Sequence, residues 1–300
     1  MHYISALYLI CDFYYGSIIS TMNTAPKKFA VIGHPVNHSL SPRIHLLFAG
    51  QFNISLNYDR LDIEQEGLLS QLEQFKSQRF SGLNVTLPLK HDAYLLCQTL
   101  SDKAKLSESV NTISIRNNQL FGDTTDGIGL IRDLTSKGVK LENTRSLLVG
   151  AGGAANAVMA DLIEGRPSTL YLTNRTIEKS MLMESHWSDF AKNHSVTLKV
   201  ADINDREQGP YDVIINATSA GFTSELSPLP DGVISPNTIC YDMIYGRETP
   251  FIRQAIEHKA TWHDGLGMLI EQAAESFRIW HDKTPDTSTI KGDLALLKLI

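Results

Sequence analysis

Short apolar runs alternate along the chain with stretches whose apolar residues fall at three- and four-residue steps. The first series reads KFAVIG (28–33), a helix from Pro42, ISLNYDRLD (54–62), a helix around Leu68 to Phe75, GLNVT (82–86) and a helix through Leu95 and Leu96. The runs have strand character and the stepped stretches have helical character. SVNTISIRNNQLFGD then reads as two strands, with Asn117-Asn118 at a hairpin-like turn. TTDGIGLIRDLTSKG (124–138) predicts a helix ending at Gly138, bridging to a second series: RSLLVG (145–150), STLYLTN (168–174), VTLKVAD (196–202), YDVIINAT (211–218) and NTICYDM (237–243). A last helix, from about Leu266 to Trp280, puts Leu269, Ala273, Phe277 and Trp280 on one face. Such alternation predicts an α/β fold with mainly parallel sheets covered on both faces. No internal repeat or low-complexity tract interrupts it.

The 300 residues allow one large domain or two ordinary ones, and 42% apolar with 20% charged residues describes a folded, water-soluble chain. A net charge of −6 argues against nucleic acid or an anionic membrane as the main partner. The 3 cysteines (Cys11, Cys97, Cys240) form no CxxC pair, which suits a reducing cytoplasm and offers neither disulfide framework nor zinc site. His34 and His38 flank a loop-like stretch without an HExxH pattern, so no metal is expected. Residues 1–26 are apolar at first but carry Asp12 in mid-run and lack a basic start. They read as a leader that is unstructured, or untranslated if synthesis begins at Met22.

TRSLLVGAGGAANAVMADLIEG places Gly150, Gly152 and Ala155 in G-x-G-x-x-A spacing between a strand and a helix. The first glycine permits a tight turn, the second lets backbone approach a pyrophosphate, and the helix N-terminus supplies N–H groups and partial positive charge. The following strand ends in Asn174-Arg175-Thr176, with Lys179 one turn on, where an NAD site usually carries an acid. Cations and a hydroxyl suit a 2′-phosphate, which favours NADPH over NADH.

In HSLSPRIH, Ser41 reads as a helix N-cap with Pro42 at the first helical position, and Ser39 adds a second hydroxyl that could receive a carboxylate. In NVTLPLK, Asn84 and Thr86 share one side of a strand, and Lys90 opens the next helix, where the dipole disfavours a cation. Asn111 in SVNT and Asp126 in GDTTDG follow. Each alone is more often a turn or cap residue; together these groups suit a small polyhydroxylated acid.

These stretches, with NRTIEK, IINATSAG, YDMIYGRETPF and DGLGMLIEQAAESF, make the chain closely similar to the shikimate dehydrogenase family from Phe29 to Trp280. The resemblance implies reversible NADPH-dependent reduction of 3-dehydroshikimate to shikimate, with NADP as cofactor, in a monomer or homodimer. It implies Lys90 and Asp126 as the catalytic pair, Ser39, Ser41, Thr86, Asn111, Tyr245 and Gln272 around the substrate, and Asn84 as an orienting group for the lysine. It places Gly150, Ala151, Gly152, Gly153, Ala154, Asn174, Arg175, Thr176, Lys179, Thr218, Met243 and Gly265 at the cofactor. A helix dipole that disfavours the ammonium and a carboxylate that favours it suit a group that gives and takes a proton. Many relatives have Arg-Gly at Asn156-Ala157, and arginine is common at Lys179, which implies a looser grip on the 2′-phosphate. The expected organisation is a substrate domain of 27–125 plus 261–300 and a Rossmann-like domain of 126–260. Two other readings remain open: a quinate/shikimate dehydrogenase with broader substrate or NAD use, and a non-catalytic NADPH-binding protein on the same fold.

Overall fold

A computed structural model describes residues 25–202, 210–219 and 226–292; all but the last two residues of the leader lie outside them. The chain builds two sheets joined by helices. In the first sheet, β1 (Lys27–Gly33), β2 (Leu56–Asp62) and β3 (Phe80–Val85) are parallel, with β1 in the middle. Between them run α1 (Ser41–Gln51) and α2 (Leu68–Ser77). β1 is buried along Phe29 to Gly33, as expected for a parallel strand covered on both faces. α3 (Lys90–Leu96) follows β3, then β4 (Thr99–Leu100) and α4 (Asp102–Ser107).

β5 (Thr112–Arg116) and β6 (Gln119–Asp123) form the antiparallel hairpin expected from Asn117-Asn118. Both asparagines have positive φ, 52° and 61°, the backbone a two-residue hairpin requires. The order is β2-β1-β3-β5-β6-β4, so the sheet is mixed, with β5 antiparallel to β3 and β6.

α5 (Asp126–Ser136) leads to the second sheet, which is parallel throughout: β7 (Arg145–Val149), β8 (Thr169–Thr173), β9 (Thr197–Val200), β10 (Val213–Asn216), β11 (Ile239–Asp242) and β12 (Thr261–His263). Its order, β12-β11-β10-β7-β8-β9, is the doubly wound dinucleotide-binding arrangement, with the switch point between β7 and β10. α6 (Gly153–Glu164), α7 (Ile177–Asn193) and α8 (Pro250–Glu257) are among the helices that cover it.

The helix α9 (Leu266–His281) returns to the first sheet. Its Ile270, Ala273 and Phe277 pack with Phe29 and Val31 of β1 and Ile44 and Phe48 of α1. Of the stripe predicted for this helix, Ala273 and Phe277 are buried and Leu269 and Trp280 are half-buried against the same core. α10 (Ser288–Gly292) ends the described chain. No helix among the described residues is long and apolar enough to cross a membrane.

Candidate active site

Lys90 is the first residue of α3 and Asp126 the first of α5, so two helix starts bring the pair together. The Lys90 ammonium donates to Asp126 Oδ2 at 2.6 Å, both side chains being largely buried. A lysine at a position the helix dipole disfavours is thus held by a carboxylate. Asp126 Oδ1 accepts from the Asn111 amide at 3.1 Å, leaving the carboxylate fixed from two sides. The same amide reaches Thr125 Oγ1 (2.8 Å) and Gln272 Oε1 (3.2 Å), while Asn111 Oδ1 accepts the Thr125 N–H (2.8 Å).

Gln272 belongs to α9 and reaches this point because α5 and α9 cross closely. A Cβ on Gly129 of α5 would stand 2.8 Å from Gln272 Cβ and backbone N. Behind the site, Thr112, Thr125 and Ser276 share hydroxyl hydrogen bonds of 2.7 and 3.2 Å.

Asn84 does not orient Lys90, contrary to the expectation. Its amide donates to Ser276 (3.0 Å), Thr112 (3.3 Å) and the Asn111 carbonyl (3.2 Å), and its Oδ1 accepts from Tyr58 (2.6 Å). The strand points Asn84 into the buried layer under the site, and Asp126 does the orienting.

Ser39 and Ser41 are buried side by side, with Ser39 Oγ donating to Ser41 Oγ at 3.1 Å. The expected capping role of Ser41 is corrected by one residue. Leu40 is the N-cap, Ser41 is already helical, and its N–H donates to Ser39 Oγ at 3.3 Å. Pro42, lacking an N–H, follows in the first turn. Thr86 packs on Gly33, where an added Cβ would clash with its methyl group. Tyr245 comes from the loop after β11 but meets this wall. Burial raises its pKa, against the Leu40 backbone and the Arg60 charge, which favour the phenolate. Asp242 shapes that loop by accepting from Thr249 Oγ1 (2.5 Å) and the Ile244 N–H (3.0 Å); burial is the main reason its pKa is raised.

At the switch point, Gly150 has φ +112° and its N–H donates to the Thr173 carbonyl at 2.7 Å. A Cβ there would crowd Thr218 and Ala217 at 3.2 and 3.3 Å. Gly152 is the N-cap of α6, with no side-chain cap, and a Cβ on Gly152 or Gly153 would meet nothing within 4 Å. Ala151 and Ala154, beside them, are half-buried. The open N–H groups and bare backbone fit a pyrophosphate. At the end of β8, Asn174 Nδ2 donates to the Thr176 carbonyl (2.9 Å), closing a tight loop. Arg175, Thr176 and Lys179 are exposed there, and among the described residues no carboxylate pairs with either cation. That fits a 2′-phosphate. Gly265 sits so close against the Met243 backbone that an added Cβ would overlap its carbonyl oxygen, so the two share one wall by backbone contact.

Tyr58, Arg60, Thr112, Thr125 and Ser276 belong to this site or its support and were not singled out from the sequence. Thr112 and Thr125 adjoin Asn111 and Asp126, and Ser276 lies one turn from Gln272; Tyr58 and Arg60 alternate on a strand edge. Among the described residues no three His, Cys, Asp or Glu side chains gather as a metal cage would need.

Comparison with known proteins places most of the chain among relatives of one family. The family profile "Shikimate dehydrogenase substrate binding domain" matches residues 31–113, "Shikimate / quinate 5-dehydrogenase" residues 133–223, and "Shikimate 5'-dehydrogenase C-terminal domain" residues 265–292. A shikimate dehydrogenase (NADP(+)) from Janthinobacterium sp. (strain Marseille) is 40% identical over 91% of this chain and 98% of its own. The crystal structure of shikimate dehydrogenase from Aquifex aeolicus has a TM-score of 0.81 at 31% identity, covering 90% of this chain and 98% of that one. That of shikimate 5-dehydrogenase from Thermus thermophilus, in complex with NADP(H) and shikimate, has a TM-score of 0.80 at 30% identity, covering 91% and 98%.

Proposed function

The chain belongs to the shikimate dehydrogenase family, and from that premise we propose how its own residues carry out the reaction. The protein is an NADP-dependent oxidoreductase that interconverts 3-dehydroshikimate and shikimate. The observation that carries the mechanism is the 2.6 Å Lys90–Asp126 pair, formed where the start of α3 meets the start of α5, the helix that leads from the mixed sheet to the parallel one.

NADPH, when bound, supplies the hydride. Lys90 donates a proton to the carbonyl oxygen as negative charge develops there, and takes it back in the oxidative direction. Asp126 holds the ammonium in place and accepts a hydrogen bond from a substrate hydroxyl. Asn111 and Gln272 read the hydroxyls, Ser39 and Ser41 receive the carboxylate, and Thr86 and Tyr245 close the remaining sides. The glycine loop from Gly150 to Ala154 holds the pyrophosphate, Asn174, Arg175, Thr176 and Lys179 hold the 2′-phosphate, and Thr218, Met243 and Gly265 border the nicotinamide end. On this reading 27–125 with the segment from 261 onward forms the substrate half, and 126–260 forms the cofactor half.

Nicotinamide absorbance with purified protein tests the reading: shikimate with NADP⁺ is expected to turn over far faster than quinate with NADP⁺ or shikimate with NAD⁺. No oxidation of shikimate with either cofactor would overturn it.

A further inference from the structure

Tyr58, Arg60 and Asp62 alternate along β2 and so share one side of that strand. Each holds the 34–41 segment or the layer beneath it. Tyr58 donates to Asn84 and lies beside the Ser41 hydroxyl. Asp62 binds His34 Nδ1 at 2.5 Å and accepts the Val36 N–H at 3.3 Å. Arg60 donates from Nε to the Ser39 carbonyl at 2.7 Å.

Tyr58 spends its O–H on Asn84 and each Asp62 oxygen has a partner, whereas Arg60 keeps most of its donors free of any bond to the 34–41 segment. Its bond uses one of five N–H donors and meets a neutral oxygen, so the positive charge stays uncompensated. Among the described residues no carboxylate pairs with it, and the side chain is exposed. Its charge nevertheless reaches the Tyr245 hydroxyl, which comes from the other sheet. The guanidinium is therefore held at the Ser39 carbonyl, with its charge acting toward Tyr245.

Resting on the reading that Ser39 and Ser41 receive the substrate carboxylate, we propose that Arg60 selects for the acid, favouring an anionic substrate over a neutral molecule of the same shape. The serines supply hydrogen bonds without charge, which a carboxylate and its ester can both use. Arg60 supplies the charge that only the carboxylate feels. The effect is about fivefold in affinity, the size of one partly solvated charge pair.

Arg60→Met and Arg60→Lys, assayed with shikimate and with its neutral methyl ester at saturating NADP⁺, separate charge from loop shape. The ester is followed as a competitive inhibitor if it turns over poorly. Arg60→Met should raise KM for shikimate about fivefold, leave kcat nearly unchanged and leave the ester constant unmoved. Arg60→Lys should recover most of the loss, and about 0.5 M salt should narrow the gap between wild type and Arg60→Met. Melting curves establish that each variant is folded. Equal weakening of acid and ester would show that Arg60 only shapes the Ser39 loop, and an unchanged KM for shikimate would remove it from recognition; either result overturns the inference. A wild-type protein inactive on shikimate would instead bring down the functional reading, and this inference with it.

Discussion

The ammonium of Lys90 is placed by its carboxylate partner rather than by the backbone, and the consequence is kinetic. Lys90→Ala leaves the Asn111–Gln272–Asp126 side of the site standing, so shikimate should still bind. Turnover should fall by about 10²- to 10⁴-fold, the usual worth of a positioned proton donor; steady-state kinetics with an independent shikimate titration checks both parts. His45 makes the opposite case, a titratable residue buried among aromatic rings, where its charge is disfavoured. It is fully buried and stacks on Tyr58 with ring centroids 4.5 Å apart, and neither ring nitrogen has a hydrogen-bond partner among the described residues. Burial, helped by His281, pushes its pKa down to about 3. Between that value and the ordinary 6.5, the unfolded chain binds a proton that the folded one refuses. Stability therefore falls as pH drops below about 6.5, by about 1.4 kcal/mol per pH unit for this group. His45→Leu should flatten that slope between pH 6 and 5, roughly by one proton's worth, as read from denaturation midpoints against pH. An unchanged slope would mean that His45 titrates alike in the folded and unfolded chains.

Among the elements, the crossing of α5 and α9 is what brings Gln272 to Asn111. Glycine is needed at both helices: Gly129 faces Gln272 and Met268, and Gly267 faces the Asp133 carboxylate, into which an added Cβ would run. Asp133 in turn accepts from Tyr241 (2.8 Å), Lys291 (3.0 Å) and Lys137 (3.2 Å), which ties α5 to β11 and α10. Gly129→Ala would favour the isolated helix, since alanine is the better helix former. In this fold it should destabilise by about 1–3 kcal/mol through overpacking and raise KM for shikimate as Gln272 moves off Asn111. Thermal melts and kinetics on the same preparation check both. A stabilised variant with normal KM would show that the crossing has slack.

For the whole molecule, side chains join the two halves where α4 meets α6 and α7. Lys103 of α4 pairs with Asp161 of α6 at 2.6 Å, Asn156 of α6 donates to the Ser107 carbonyl at 2.7 Å, and His186 of α7 meets the Leu106 carbonyl at 2.7 Å. Asn156, standing where arginine is common in the family, also accepts from the Trp187 indole at 2.6 Å, so one residue clasps three elements. With α9 packed across from β12 into the first core, neither half has a boundary free of such contacts. The two sheets should unfold in a single calorimetric transition despite their separate cores. NADP⁺ at one hundred times its Kd should add about 2.7 kcal/mol to all of it. Two resolved peaks, only one of them moved by NADP⁺, would contradict this.

The sequence by itself determined the alternation of strands and helices, the Asn117-Asn118 hairpin, the glycine loop and the basic end of β8, because each is local. Apolar spacing, positive φ and the free N–H groups of a helix start are written within a few consecutive residues. Lys90, Asp126 and Asn111 were legible as chemical types, whereas their meeting, and Gln272 altogether, came only from the family resemblance and not from spacing or propensity. That meeting depends on strand order and on a helix crossing set by Gly129, which joins residues far apart in the chain. The same cause hid Tyr58, Thr112 and Ser276, ordinary polar residues until the sheet buried them together. It also displaced the cap from Ser41 and turned Asn84 inward, since a side chain's hydrogen-bond partners are chosen by what the fold brings near, not by what neighbours it in sequence.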